Sequence, residues 1–272
     1  MKLCFSTLCC LNDDLEQCIG YAVNNGMCGI EPRVNDKSET FGNLTIKDAP
    51  RIKKAMAEAG LTIPDLALSC FITEENPHQL AVGQAGVDFA AAIQAQAVRI
   101  FVGKHQERFS SPVETNKNGI VNSVRALADY AESKQIEVWL ETHSCFSSGK
   151  AMAELVETVD RKNVKVLWDV AHTVEYHETP EETLCFLGNK ISHIHVKDGR
   201  PQEDADLTQY HHTDLGKGTL PIKETVRLLE KSGFPGMISL EWESPWRPEI
   251  RDLYPDVNDL LRAFRRFVGQ KQ

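Results

Sequence analysis

The chain has 272 residues, 42% of them hydrophobic and 25% charged, the balance of an ordinary globular protein that can bury a core without covalent staples. Its formal net charge of −9 repels phosphate backbones and anionic bilayers at long range, so neither nucleic acid nor a membrane is an expected partner. No stretch approaches the ~20 consecutive apolar residues of a membrane span, the opening Met1-Lys2-Leu3-Cys4-Phe5-Ser6 lacks the apolar run of a secretory leader, and the eight cysteines include no C-x-x-C pair; reduced thiols and a cytoplasmic location are expected.

Short apolar runs alternate with longer amphipathic ones. Residues 3–8 predict a strand. A helix follows, carrying Leu15, Cys18, Ile19, Ala22 and Val23 on one face and closing at Asn25-Gly26. Residues 27–34 predict the second strand, before a helix through Ile52, Ala55, Met56 and Ala59 that ends at Gly60. Residues 61–71 are the third run, with an Ala-rich helix around 83–95, and residues 97–102 the fourth, with a helix through Val121, Val124, Leu127, Ala128 and Ala131. In the second half, strands over 136–141, 164–170, 191–196 and 237–240 alternate with helices around 151–159, 181–187, 222–229 and 260–267. Eight strand–helix units without a linker predict an α/β fold with a parallel sheet, closed into a single (β/α)8 TIM barrel over residues 1–272. An open doubly wound sheet would show a glycine-rich loop after the first strand; Cys9-Cys10-Leu11-Asn12-Asp13 stands there instead.

In such barrels the site lies at the C-terminal strand ends. The last four runs end Leu140-Glu141-Thr142-His143, Trp168-Asp169-Val170-Ala171-His172, His193-Ile194-His195-Val196-Lys197-Asp198 and Leu240-Glu241-Trp242-Glu243. Four neighbouring strands thus deliver a carboxylate or imidazole to one rim. Three carboxylates and an imidazole converging without a counter-charge would repel and partly protonate, and a divalent cation removes the conflict. Oxygen-rich ligation favours Mn2+, Mg2+ or Co2+, with Zn2+ left open. Alternation puts His193 and His195 on one face, with His195 nearer the rim, and gives Glu241 and Glu243 the same parity, with Glu241 following the strand directly. The candidate ligands are therefore Glu141, Asp169, His195 and Glu241. His193 is expected to be a buried hydrogen-bonding or structural group, and Glu243 a surface or substrate contact.

His143 and Lys197 lie two residues beyond inward-facing positions and are candidate substrate contacts. Glu31 and Arg33 can reach the mouth from the far side. Trp139, Trp168, Trp242 and Trp246 either wall a sugar or pack between barrel and helices, the commoner use. Gly216-Lys217-Gly218 reads as a plain turn in preference to a phosphate loop.

Taken in order, Leu140-Glu141-Thr142-His143, Asp169-Val170-Ala171-His172, His193-Ile194-His195-Val196-Lys197-Asp198, Gly216-Lys217-Gly218-Thr219-Leu220-Pro221 and Ser239-Leu240-Glu241 resemble the xylose-isomerase-like barrel superfamily over essentially the whole chain. Its ketose 3-epimerases, inosose isomerases and dehydratases, and AP-endonuclease-like barrels are the nearest likenesses. The resemblance implies a metal-dependent isomerase or epimerase that acts on a sugar, ketose or inosose through an enediolate. It implies Glu141, Asp169, His195 and Glu241 as metal ligands, the two Glu also as acid and base on opposite faces of the substrate, and His172 as a substrate-binding residue. The alternative is a metal-dependent dehydratase of a keto-polyol, of inosose or dehydroshikimate type. An AP-endonuclease-like phosphodiesterase, with Glu141, Asp169, His172, His195, His212 and Glu241 resembling part of its zinc set, is more distant, because residues 68–70 and 101–103 end their strands without histidine. Ketose 3-epimerases carry a further Glu six residues after the first ligand and an Arg six after the metal His; Ser147 and Pro201 stand here, with Arg200 one place earlier. The expected partner is a small sugar or polyol, and a homo-oligomer is left open.

Overall fold

The computed structural model describes residues 1–73, 76–103, 117–202 and 210–269. Eight parallel strands make one sheet: β1 (Lys2–Ser6), β2 (Gly29–Glu31), β3 (Asp65–Ile72), β4 (Ala97–Val102), β5 (Glu137–Glu141), β6 (Val164–Asp169), β7 (Ile191–Val196) and β10 (Met237–Leu240). Their order is β2-β1-β10-β7-β6-β5-β4-β3. Parallel bridges Gly29–Thr62 and Arg33–Ala67 join the two outer strands, so the sheet curls into a (β/α)8 barrel. The helices α1 (Leu15–Asn24), α2 (Ala49–Glu58), α3 (Pro77–Ile93), α4 (Lys117–Glu132), α5 (Gly149–Val159), α7 (Pro180–Leu187), α8 (Ile222–Ser232) and α9 (Val257–Phe267) connect or follow the strands.

The strands differ from their predicted extents for local reasons. β1 stops at Ser6, whose side chain caps a 3-10 turn over Thr7–Cys10. The third run breaks at Pro64, which cannot donate to a ladder, so β3 begins at Asp65. Asp169 ends β6 by capping a short helix, α6 (Val170–Glu175), through a 2.9 Å bond from Ala171 N–H. β8 (Gly199–Pro201) and β9 (Tyr210–His212) pair antiparallel over the mouth-side loop after β7, too short to show as a pattern.

The large apolar core lies between the strands' outer faces and the helices, where Leu140, Val166, Trp168, Ile194, Val196 and Leu240 are buried. Trp168 packs there, its Nε1–H on Thr173 Oγ1 at 2.9 Å. Trp242 packs edge-on to Tyr254, and Trp246 is exposed. Trp139 differs: with Ala97 and Leu167 it forms a separate apolar cluster at the inward parity of β4, β5 and β6. The floor of the barrel thus combines these apolar side chains with buried His193 and Asp65, which stand in register with Leu167 and Ala97. The eight cysteines are free thiols, and no helix among the described residues is long and apolar enough to cross a membrane.

Candidate active site

Parity and strand ends bring the four rim groups together. Glu141 closes β5, Asp169 closes β6 opposite His195 in register, and Glu241 continues β10 with its N–H on Val196 C=O at 3.0 Å. One ligand-capable atom from each of Glu141, Asp169, His195 and Glu241 lies within 4.8 Å of the other three, and all four residues are buried.

The expectation that this cluster lacks a counter-charge is corrected by two cations. Arg99, in β4, sets its Nε 3.1 Å from Glu141 Oε2, both side chains buried. Its guanidinium lies 4.2 Å over the Phe101 ring and donates to Leu68 C=O at 3.3 Å. Lys197 Nζ lies 2.7 Å from Asp169 Oδ2 and 2.8 Å from Glu243 Oε1, and it also contacts Glu241 Oε2. The signal for Arg99 was present: one arginine inside Ala97-Val98-Arg99-Ile100-Phe101-Val102 is untenable in a buried strand without a carboxylate partner.

Burial still shifts the protonation of these carboxylates. Burial pushes Glu141 up to about 7 against the pull of Arg99, and Asp169 up to about 6 against that of Lys197. Burial also works against Glu241's charge, but Lys197 and His195 outweigh it and hold that carboxyl well below the usual range. For His195, burial opposes the charged form, yet Glu31 and Glu241 on either side raise it well above an ordinary imidazole. The Nδ1 of His195 lies 3.4 Å from Glu241 Oε1 and makes no hydrogen bond among the described residues. Converging carboxylate oxygens with such an imidazole nitrogen form a donor set that suits a divalent ion with a preference for oxygen.

Around this centre, the His143 Nδ1 engages Ser144 Oγ at 2.8 Å and the His172 Nδ1 engages Glu175 at 3.1 Å. Glu141, His143 and His172 form a second convergence of ligand-capable atoms. Aromatic walling comes from residues that sequence reasoning passed over: Phe71 stacks on Phe101 at 4.6 Å, and Phe101 meets His143 at 4.6 Å. His193 is fully buried, stacked 5.3 Å from Trp139. Glu31 reaches inward to His195 and His193 at 2.8 and 3.2 Å. Arg33 donates to Ala67 C=O at 2.9 Å and to Ser69 Oγ at 2.5 Å, beside β3, and feels the charges of Glu241 and Glu141. The glycine turn is already satisfied: the Asp198 carboxylate accepts N–H bonds from Gly199, Gly216 and Gly218 at 2.8–2.9 Å, and a Cβ at Gly218 would fall 2.0 Å from Asp198 Oδ1. Those amides are therefore engaged by a carboxylate, as a plain turn requires. His212 sits 3.8 Å from Glu243, and burial lowers it to about 4. It joins no ligand-capable group of three among the described residues.

A pH dependence follows for the metal-free protein. Glu141 is held near 7 when folded but titrates at 4.5 when free, so its contribution to stability is present below 4.5 and is lost as pH rises from there through 7. His195, raised above 6.5, contributes stability that is present below 6.5 and lost above it. The lowered His193 and His212 act in the opposite direction only up to about 6.5, and the lowered Glu241 and Glu243 contribute fully well below that. Chelated protein should therefore melt at progressively lower temperature between about pH 6.5 and pH 8. A midpoint that climbs over that interval would contradict the assignment of these groups.

The comparisons with known proteins agree with this architecture. Over 276 residues the chain is 23% identical to the inosose dehydratase of Geobacillus thermodenitrificans, covering 89% of this chain and 90% of that one. It is also 23% identical over 192 residues to an uncharacterised protein of Methanocaldococcus jannaschii, spanning 61% of that protein's length. A zinc-bound IolI protein superposes with a TM-score of 0.80 at 19% identity, covering 99% of this chain and 98% of that one. The D-allulose 3-epimerase of Methylomonas sp. in complex with D-allulose does so with 0.77 at 18%, covering 100% and 97%. At these identities the structural likenesses show the fold. The sequence model for the xylose isomerase-like TIM barrel matches residues 19–264, taking in all four strands that bring the rim carboxylates and His195 together, and the chain belongs to that family.

Proposed function

We propose that the chain is a divalent-metal-dependent sugar isomerase or epimerase, working at a carbon beside the carbonyl of a ketose or inosose. The observation that carries this is the buried convergence of Glu141, Asp169, His195 and Glu241 on one point. These four hold the ion. The donor set favours Mn2+, Mg2+ or Co2+, and the zinc of the IolI protein keeps Zn2+ open. A bound ion supplies Lewis-acid polarisation of the carbonyl and steadies negative charge on the neighbouring oxygen.

The chain's own groups move the protons and orient the substrate. Glu141 and Glu241 face the substrate from different strands and serve as acid and base. Glu241, held ionised by Lys197 and His195, is ready to accept a proton. Glu141, near 7 before loading, is able to carry one. His143 and His172 hold substrate oxygens, their Nδ1 atoms already tied to Ser144 and Glu175, while Lys197, its three ammonium protons turned to Asp169, Glu241 and Glu243, holds those carboxylates in place. Return of the proton to the same carbon from the other face gives an epimer, and its return to the neighbouring carbon an isomer.

Two observations favour dehydration of a keto-polyol as the second reading: the match to inosose dehydratases along nine-tenths of the chain, and Ser147 and Pro201 where the resembled ketose epimerases carry Glu and Arg. There the same base removes the proton and a β-hydroxyl leaves as water.

Incubation with a panel of ketoses and inososes in D2O, with Mn2+, Co2+ or Mg2+ supplied, tests both. Deuterium entering the carbon beside the carbonyl is expected for at least one member, with loss of water marking the dehydratase. A fully metal-loaded enzyme that exchanges nothing in the panel would sink the proposal.

A further inference from the structure

We infer that Glu31 is the positioning residue that fixes which nitrogen of His195 faces the metal; this rests on the reading of His195 as a ligand. Glu31 ends β2, across the barrel from the strands that carry the other ligands, and is fully buried. Its Oε2 lies 2.8 Å from His195 Nε2. The second ring nitrogen, Nδ1, points the other way and lies 3.4 Å from Glu241 Oε1. A carboxylate can only accept, so contact with Glu31 requires the proton on Nε2 and leaves the Nδ1 lone pair as the one available to an ion. A carboxylate behind a ligating histidine is a common means of setting its tautomer and basicity.

The rest of the inner layer is built to hold Glu31 in place. The same Oε2 lies 3.2 Å from His193 Nε2. That ring is stacked on Trp139, so the floor of the barrel fixes the group that fixes Glu31. Beyond it, Asp65 Oδ1 lies 3.9 Å from His193 Nε2. Among the described residues the hydrogen-bond partners of Glu31 are these two histidines, with no arginine or lysine. A buried carboxylate so placed depends on these two imidazoles for compensation. Its value lies in what it does to His195.

The test compares wild type with Glu31→Gln and Glu31→Leu. Gln keeps the shape but offers an amide that can donate as well as accept, and Leu removes the interaction. Calorimetric titration of metal-free protein with Zn2+ should show binding weakened by roughly 10–100-fold in Glu31→Leu and by less in Glu31→Gln. In 15N-histidine spectra of the Zn2+-loaded wild type, with His195 assigned by its loss in His195→Gln, the ring should carry its proton on Nε2. The Gln variant should lose that fixed pattern, a change that a merely structural role would not produce. Wild type bound through Nε2, or variants with unchanged affinity and spectra, would overturn the inference and leave the metal reading standing. A wild type that takes up no Zn2+, Mn2+ or Co2+ would overturn the metal reading itself, and the role of Glu31 with it.

Discussion

Glu141→Ala and Glu241→Ala are each expected to abolish stoichiometric metal uptake, and the corresponding Gln variants to lower turnover about 10²–10⁴-fold, the usual contribution of a positioned acid or base. The two substitutions separate two jobs. Alanine removes an oxygen donor from a cluster to which four residues contribute among the described residues. Glutamine leaves a neutral oxygen in place but can no longer take a proton. If the two carboxylates work on opposite faces of the substrate, each Gln variant should still exchange deuterium into one epimer while failing to complete the epimerisation. The two Ala variants should also differ in stability. Removing Glu241 leaves Lys197 with Asp169 and Glu243, whereas removing Glu141 leaves Arg99 without the carboxylate 3.1 Å away. Elemental analysis of the purified variants decides the first point; full metal occupancy in either Ala variant would remove that residue from the ligand set.

Legibility in the sequence followed the range of the interactions. The segments 97–102, 191–196 and 237–240 coincide with β4, β7 and β10 because each is a compact apolar run between helices, a purely local pattern. Residues 27–34 overstate β2, of which only Gly29–Glu31 pair as a strand before Pro32; the run was apolar for packing, and pairing decided its length. The β8–β9 pair and the six-residue α6 left no periodic trace at all. At the rim, the four converging groups were legible because strand ends are visible in the sequence and alternation gives their direction. Arg99 and Lys197 were visible as residues but not as partners of Glu141, Asp169 and Glu241, since such pairing depends on closure of the cylinder. The link from Glu31 to His195 spans 164 positions and crosses the barrel, so no local spacing could have announced it.

Arg99→Leu is the substitution expected to weigh most on the fold. Removing one partner of a buried ion pair typically costs about 3–5 kcal/mol, because the remaining charge is left uncompensated, and at this chain length that lowers the melting midpoint by roughly 10 °C. The size of the loss should depend on pH, which separates charge from packing. Burial already pushes Glu141 up to about 7 with Arg99 pulling it down. Without Arg99 the carboxyl rises further and stays protonated at neutral pH. A neutral Glu141 is tolerated in the interior, so the variant should lose least below about pH 6. As pH rises the folded state must either keep that proton or bury a lone carboxylate, and the gap from wild type should widen through pH 7 and above. Metal binding, which needs the ionised carboxylate, should shift to higher pH in the same variant. Melting curves of the metal-free proteins at about pH 6 and pH 8 provide the measurement. A difference that is the same at both would mean that Arg99 supports the barrel through its contacts with Phe101 and the Leu68 carbonyl, and that its charge is not what keeps Glu141 available as a ligand.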